Sequence, residues 1–140
     1  DSNILTVGDE NTLINISEKT ALSNILSGIK LSGNASVRCE DINLKAISND
    51  EYVGTGTRVT INSSNGSNLG SYVVVIKGDV NGDGKISASD YVLIKNNIMG
   101  TKTLSDIQRK GADVNKDGKI SAGDYVKIKN HIMGISSILN

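Results

Sequence analysis

Tryptophan, phenylalanine and proline are all missing from this 140-residue chain, and its bulky aromatics reduce to Tyr52, Tyr72, Tyr91 and Tyr125. Surfaces that bind sugars stack flat rings against the ligand, so this scarcity argues against a carbohydrate-binding module. The only cysteine, Cys39, excludes an internal disulfide and a multi-cysteine zinc site, and reads as a buried apolar thiol. Fifteen basic and fifteen acidic residues cancel, which leaves no long-range field to hold nucleic acid or an anionic membrane. No run of about eighteen apolar residues is present to insert into a bilayer, and no signal-peptide pattern opens the chain. It reads as a piece of a longer polypeptide.

What is present is a repeat. Asp79 to Gly100 realigns onto Asp113 to Gly134 with an offset of 34 residues, and eighteen of the twenty-two positions are identical. The differences are Gly82 against Lys116, Ser89 against Gly123, Leu93 against Lys127 and Asn97 against His131. A duplication this close implies two copies of one structural unit. Upstream the texture changes to Ser, Thr and Asn with short β-favouring runs, so residues 1–77 read as a separate module and 78–140 as the repeat module.

In the upstream module Leu22, Ile25, Leu26 and Ile29 recur at helical spacing behind a Thr20 cap, with Gly33 beyond the end. Thr12 to Ile16, Ala35 to Cys39 and Ile42 to Ile47 read as strands. Thr57 to Asn62 and Ser71 to Ile76 read as a hairpin whose turn, Ser63 to Gly70, carries Asn65-Gly66. The expected fold is α+β, a small sheet covered by one helix, with an Ig-like β-sandwich as the alternative. No flexible spacer separates Val73 to Ile76 from the first repeat, so a fixed relative orientation is expected.

Each repeat opens with oxygen-bearing side chains at steps one, three, five, nine and twelve of a twelve-residue loop, the EF-hand spacing. Calcium needs about six to eight oxygens, and a short loop converges that many only when ligands alternate along it. In the first loop Asp79, Asn81 and Asp83 offer side-chain oxygens, Lys85 its backbone carbonyl, Ser87 a contact through water, and Asp90 closes the shell from the first turn of a helix. In the second the same roles fall to Asp113, Asn115, Asp117, Lys119, Ser121 and Asp124. Gly84 and Gly118 sit where the loop must turn, while Ile86 and Ile120 are placed to bury hydrocarbon between the sites. Two bound Ca2+ are expected, with metal binding coupled to folding, because three carboxylates per loop repel one another without an ion.

A standard EF-hand has a helix before each loop and Glu at step twelve; here a strand precedes the first loop and Asp closes both. The pattern of two Asp-x-Asn-x-Asp-Gly-x-Ile loops, each followed by one helix, closely resembles a dockerin of the bacterial cellulosome type over Asp79 to Gly134. That resemblance implies an all-α three-helix module with two calcium ions that docks onto a cohesin domain of a scaffold or surface protein. It further implies a secreted, extracellular or cell-surface location and a parent protein of polysaccharide degradation or a surface protein. The upstream module is similar to the small X modules that precede dockerins. Contacts in that family fall on loop steps ten and eleven and on the following helix. Here those positions are Ala88, Ser89, Lys95, Asn96 and Gly100 in the first copy, and Ala122, Gly123, Lys129, Asn130 and Gly134 in the second, in place of the family's Ser-Thr and Lys-Arg pairs.

Helix geometry marks the same face. Tyr91, Ile94 and Ile98 lie at core-facing spacing, which leaves Ser89, Val92, Leu93, Asn96 and Met99 outward. The second copy places Val126, Lys127 and Met133 alike. Exposed Val92, Leu93 and Met99 form an apolar strip wanting a partner; the alternative is that they pack on the linker near Leu104 and Ile107. Two similar strips would let a partner bind in either of two orientations, with Leu93 against Lys127 as the bias.

An enzyme lacks parts here: His131 is the only histidine and reads as a surface residue, and Gly54-Thr55-Gly56 reads as a turn, not a phosphate loop. Asp41, Glu40, Asp50 and Glu51 read as solvated acids. A calcium sensor or buffer is the other alternative, disfavoured because sensors expose a Met-rich groove and only Met99 and Met133 are available. An X module with its own adhesion or ligand binding is a third.

Overall fold

The computed structural model describes residues 6–7, 11–29 and 35–138. Among them five short strands form one mixed sheet: β1 (Thr6–Val7), β2 (Thr12–Ile14), β3 (Ser36–Glu40), β4 (Arg58–Asn62) and β5 (Asn68–Val74), in the order β1-β2-β5-β4-β3. β2 runs parallel to β5 with Leu13 opposite Val74, and the other neighbours are antiparallel. Helix α1 (Leu22–Ser27) covers the sheet. Its Leu22 and Ile25 join Leu13, Cys39, Val59, Val74 and Ile76 in a first core cluster, with Leu26 and Ile29 packed against it. A single sheet with a helix is the α+β arrangement expected, and the sandwich alternative falls away.

The β4–β5 hairpin is tighter than its sequence suggests. Ser63 donates its N–H to the Ser67 carbonyl at 2.8 Å, and Asn65 Oδ1 accepts the Ser67 N–H at 3.0 Å. This Asx-type closure ends the turn at Ser67 and starts β5 at Asn68, three residues before the expected Ser71. At its other end β5 stops at Val74, because Ile76 turns its N–H to the Thr55 hydroxyl at 3.0 Å.

Ile42 to Ile47, expected as a strand, is not one. Asp41 Oδ1 accepts the N–H groups of Asn43 and Lys45, each at 2.9 Å, and Leu44 sits at φ +64°. Among the described residues, a single bridge from Ala46 to Glu40 is all the pairing this segment makes. The local carboxylate competes with a strand ladder for the backbone and wins. Thr20 likewise does not cap α1: its hydroxyl donates to the Ser17 carbonyl at 2.8 Å, and Ala21 occupies the cap. Gly33 lies outside the described residues.

Burial pushes the Cys39 thiol up to about 11, in keeping with an inert apolar side chain.

Three helices follow: α2 (Ala88–Ile98), α3 (Asp106–Ala112) and α4 (Ala122–Ile132). Their core is a second cluster of Val80, Ile86, Ile94, Leu104, Ala112, Val114, Ile128 and Ile138. The repeat is visible in the packing, since Ile94 and Ile128 are both fully buried and Tyr91 meets Tyr125 edge-on with ring centres 5.3 Å apart. Burying two isoleucines of this size contributes roughly 1.5–3 kcal/mol each. Ser105 caps α3 by accepting the Gln108 N–H at 3.3 Å, and Gln108 returns a side-chain oxygen to the Ser105 N–H at 3.0 Å.

Candidate metal centre and docking face

Twelve residues lead into α2, and their polar groups converge. Asp79 accepts the Gly82 N–H on Oδ1 at 3.0 Å and the Gly84 N–H on Oδ2 at 2.9 Å. Asn81 Oδ1 takes the Asp83 N–H at 3.1 Å, and Asp83 Oδ1 takes that of Lys85 at 2.9 Å. Asp90 reaches back from the helix to accept Val80 and Asn81 on Oδ1, at 2.8 and 3.0 Å, and Ser87 on Oδ2 at 2.8 Å. Asp90 therefore both starts α2, as the acidic third residue after the Ser87 cap, and faces the loop. One oxygen from each of Asp79, Asp83 and Asp90 lies within 4.8 Å of the others.

The second loop repeats this wiring. Asp113 accepts Asp117 and Gly118, Asn115 accepts Asp117, Asp117 accepts Lys119, and Asp124 accepts Asn115 and Ser121. Asp113, Asp117 and Asp124 again converge within 4.8 Å. Gly84 and Gly118 both sit at φ +81°, the left-handed conformation that the turn demands of step six.

Asp79 and Asp90 are fully buried. Burial pushes Asp79 up to about 7 and Asp90 up to about 6, against the opposing effect of their backbone hydrogen bonds, and Asp124 is raised for the same reason. Buried carboxylates facing one another and held only by neutral N–H donors are costly unless a cation joins them. The donor set, all oxygen, fits a hard divalent ion of calcium's type. Asp79, Asn81, Asp83 and Asp90 would hold it in one loop and Asp113, Asn115, Asp117 and Asp124 in the other, where it would neutralise the carboxylates and lock the helix start. The Lys85 and Lys119 side chains are exposed, and Ser87 and Ser121 stand at the helix caps. Ile86 belongs to the second core cluster and Ile120 packs against it.

On the outer face Ala88, Ser89, Val92, Lys95 and Met99 of the first copy are exposed, as are Ala122, Gly123, Val126, Lys127, Lys129 and Met133 of the second. Asn96 and Asn130 are half-buried, and their carbonyls accept the N–H groups of Thr101 and Ile135, both at 2.9 Å. Leu93 departs from the expectation: it packs against the cluster that contains Leu104 instead of pointing outward. Ile98, expected in the core, is 46% exposed. It lies one turn beyond Ile94, past the point where α2 still meets the core.

Other departures matter more. His131, read as a surface residue, is half-buried and joined to Glu18, with Nε2 2.6 Å from Oε2. Its Nδ1 accepts the Ile138 N–H at 3.1 Å, so the proton sits on Nε2 and is donated to Glu18. The sequence reading also missed that Thr55 donates its N–H to Asp79 Oδ2 at 2.9 Å. Gly54-Thr55-Gly56 does make a turn, closed by Thr57 N–H on the Gly54 carbonyl at 3.0 Å, but that turn lies against the first loop. No spacing rule could link residues so far apart in sequence.

No curated protein matches the chain. Residues 77–133 match the family model described as the dockerin type I domain.

Proposed function

We propose that residues 78–140 hold two calcium ions, one in each loop, and present the outer faces of α2 and α4 to a cohesin domain of a scaffold or surface protein. Dockerin type I domains bind calcium and dock onto cohesins, and that general role carries to residues 77–133. The observation that carries the finer reading is the convergence of two matching carboxylate triads at the starts of α2 and α4. An ion in each would fix the helix that bears the exposed strip.

In this reading the module is non-catalytic and serves a secreted parent, a carbohydrate-active enzyme or a surface protein. Residues 1–77 form a distinct small module of X type, supported by their separate core cluster. No helix among the described residues is long and apolar enough to cross a membrane.

The test is a binding screen of the chain against a panel of cohesins, in calcium and in chelator. At least one cohesin should bind in calcium and be released by chelator. Binding that persists in chelator, or no binding to any cohesin type, contradicts the proposal.

A further inference from the structure

The two loops share almost one sequence, yet their surroundings differ. Besides the Thr55 bond to Asp79, Lys19 donates its N–H to the Gly84 carbonyl at 2.7 Å, and Glu18 Oε1 accepts the Ile86 N–H at 2.9 Å. These contacts fall at steps one, six and eight of the first loop, and all come from the sheet module. Residues 115–119 of the second loop are exposed instead, and a side chain added at Gly118 would meet nothing within 4 Å.

Two of the four repeat differences lie on this contact. A Cβ at Gly82 would stand 2.6 Å from the Thr55 carbonyl oxygen, so the lysine found at the equivalent Lys116 has no room there. A Cβ at Gly54 would stand 2.0 Å from the Gly82 carbonyl oxygen, so the two backbones meet at a distance only glycine allows. His131, in place of Asn97, is the residue that reaches Glu18. Turned by the pseudo-two-fold, the sheet module would meet Lys116 and Asn97 and could not seat.

We infer that the sheet module braces the first loop, so that residues 79–90 and 113–124 are unequal calcium sites: the first is prearranged, fills first and holds its ion more tightly. The inference rests on the calcium reading above. A flexible loop must lose backbone freedom as it closes on an ion; in the first loop the contacts to Glu18, Lys19 and Thr55 have already restricted it. Preorganisation equivalent to even one residue separates the affinities by about tenfold. Glu18 is the positioning side chain of this brace, since it touches Ile86 and His131 and no expected ligand oxygen.

The test follows the backbone amides of Gly84 and Gly118 by NMR while calcium is added to the chelator-stripped full chain. At one equivalent of calcium a tenfold gap should take Gly84 through about three-quarters of its change and Gly118 through about one-quarter. Glu18→Ala and, separately, Gly82→Lys should bring the two site affinities to within about threefold by weakening the first alone. The unchanged second site serves as the control for folding. If both amides in the natural chain move together, or if either variant weakens both sites equally, the inference is overturned while calcium binding stands. If neither amide responds to calcium, the calcium reading itself falls and takes the inference with it.

Discussion

Asp90 and Asp124 each do two jobs, which makes them the most informative single residues. Both accept the N–H of the serine that caps their helix and both belong to a carboxylate triad. Asp124→Ala should remove both roles: calcium binding at the second loop should fall at least tenfold, and leaving the N–H groups of Asn115 and Ser121 without this acceptor should cost about 1–3 kcal/mol. Calorimetric calcium titration and urea unfolding in chelator separate the two effects.

Acidity offers a second check at this scale. Asp79 and Asp90 rise from an ordinary 3.8 to about 7 and about 6 in the folded chain, chiefly through burial. In that interval the folded state binds more protons than the unfolded one, so calcium-free protein should gain stability as pH falls from about 7.5 towards 4. Protons compete with an ion for the same oxygens, so the calcium-loaded chain should instead lose stability on acidification. Melting temperatures across this range, with calcium and with chelator, should therefore slope in opposite directions; parallel slopes would contradict the metal reading.

At the level of elements, the repeat helices were the most legible part of the chain. Ile94 declared its burial through helical spacing, and both it and its repeat counterpart Ile128 are fully buried. Replacing either with Ala should cost about 2–5 kcal/mol, measured by urea unfolding in saturating calcium. Loop spacing likewise identified each converging carboxylate, because ligand positions in a twelve-residue loop are purely local. What failed was decided by competition or distance. Ile42 to Ile47 has strand composition, but Asp41 captures the nearby amides and bends the chain. Leu93 and Ile98 exchanged their expected exposures because helical period alone does not say where along α2 the core ends or how far it reaches round. The parallel pairing of β2 with β5 joins residues sixty-one apart, Thr12 and Val73, and nothing local announces it.

For the molecule as a whole, the segment from Ile76 to Val80 ties both clusters together, with Ile76 in the first and Val80 in the second. Gly78 adds an N–H to the Gly111 carbonyl at 2.9 Å, which fixes this passage against α3. The expectation of a rigid junction came from the lack of a spacer; the contacts of Glu18, Lys19 and Thr55 that strengthen it were invisible in sequence. Both exposed strips, around Val92 with Met99 and Val126 with Met133, stay free of the sheet module. Two binding orientations should therefore remain available to a cohesin: Val92→Asp alone and Val126→Asp alone should each weaken binding by less than about tenfold, while the pair together abolishes it. Surface plasmon resonance on the three variants distinguishes this from single-face docking, in which one variant suffices.

The most direct measurement is the calcium stoichiometry of the chelator-stripped full chain, read by titration calorimetry at neutral pH. Two ions per chain are expected, falling to one when Asp83→Asn or Asp117→Asn removes a carboxylate from one loop. Heats no larger than those of dilution would mean that the paired carboxylate triads are not metal cages, and would remove the basis for calcium-dependent docking.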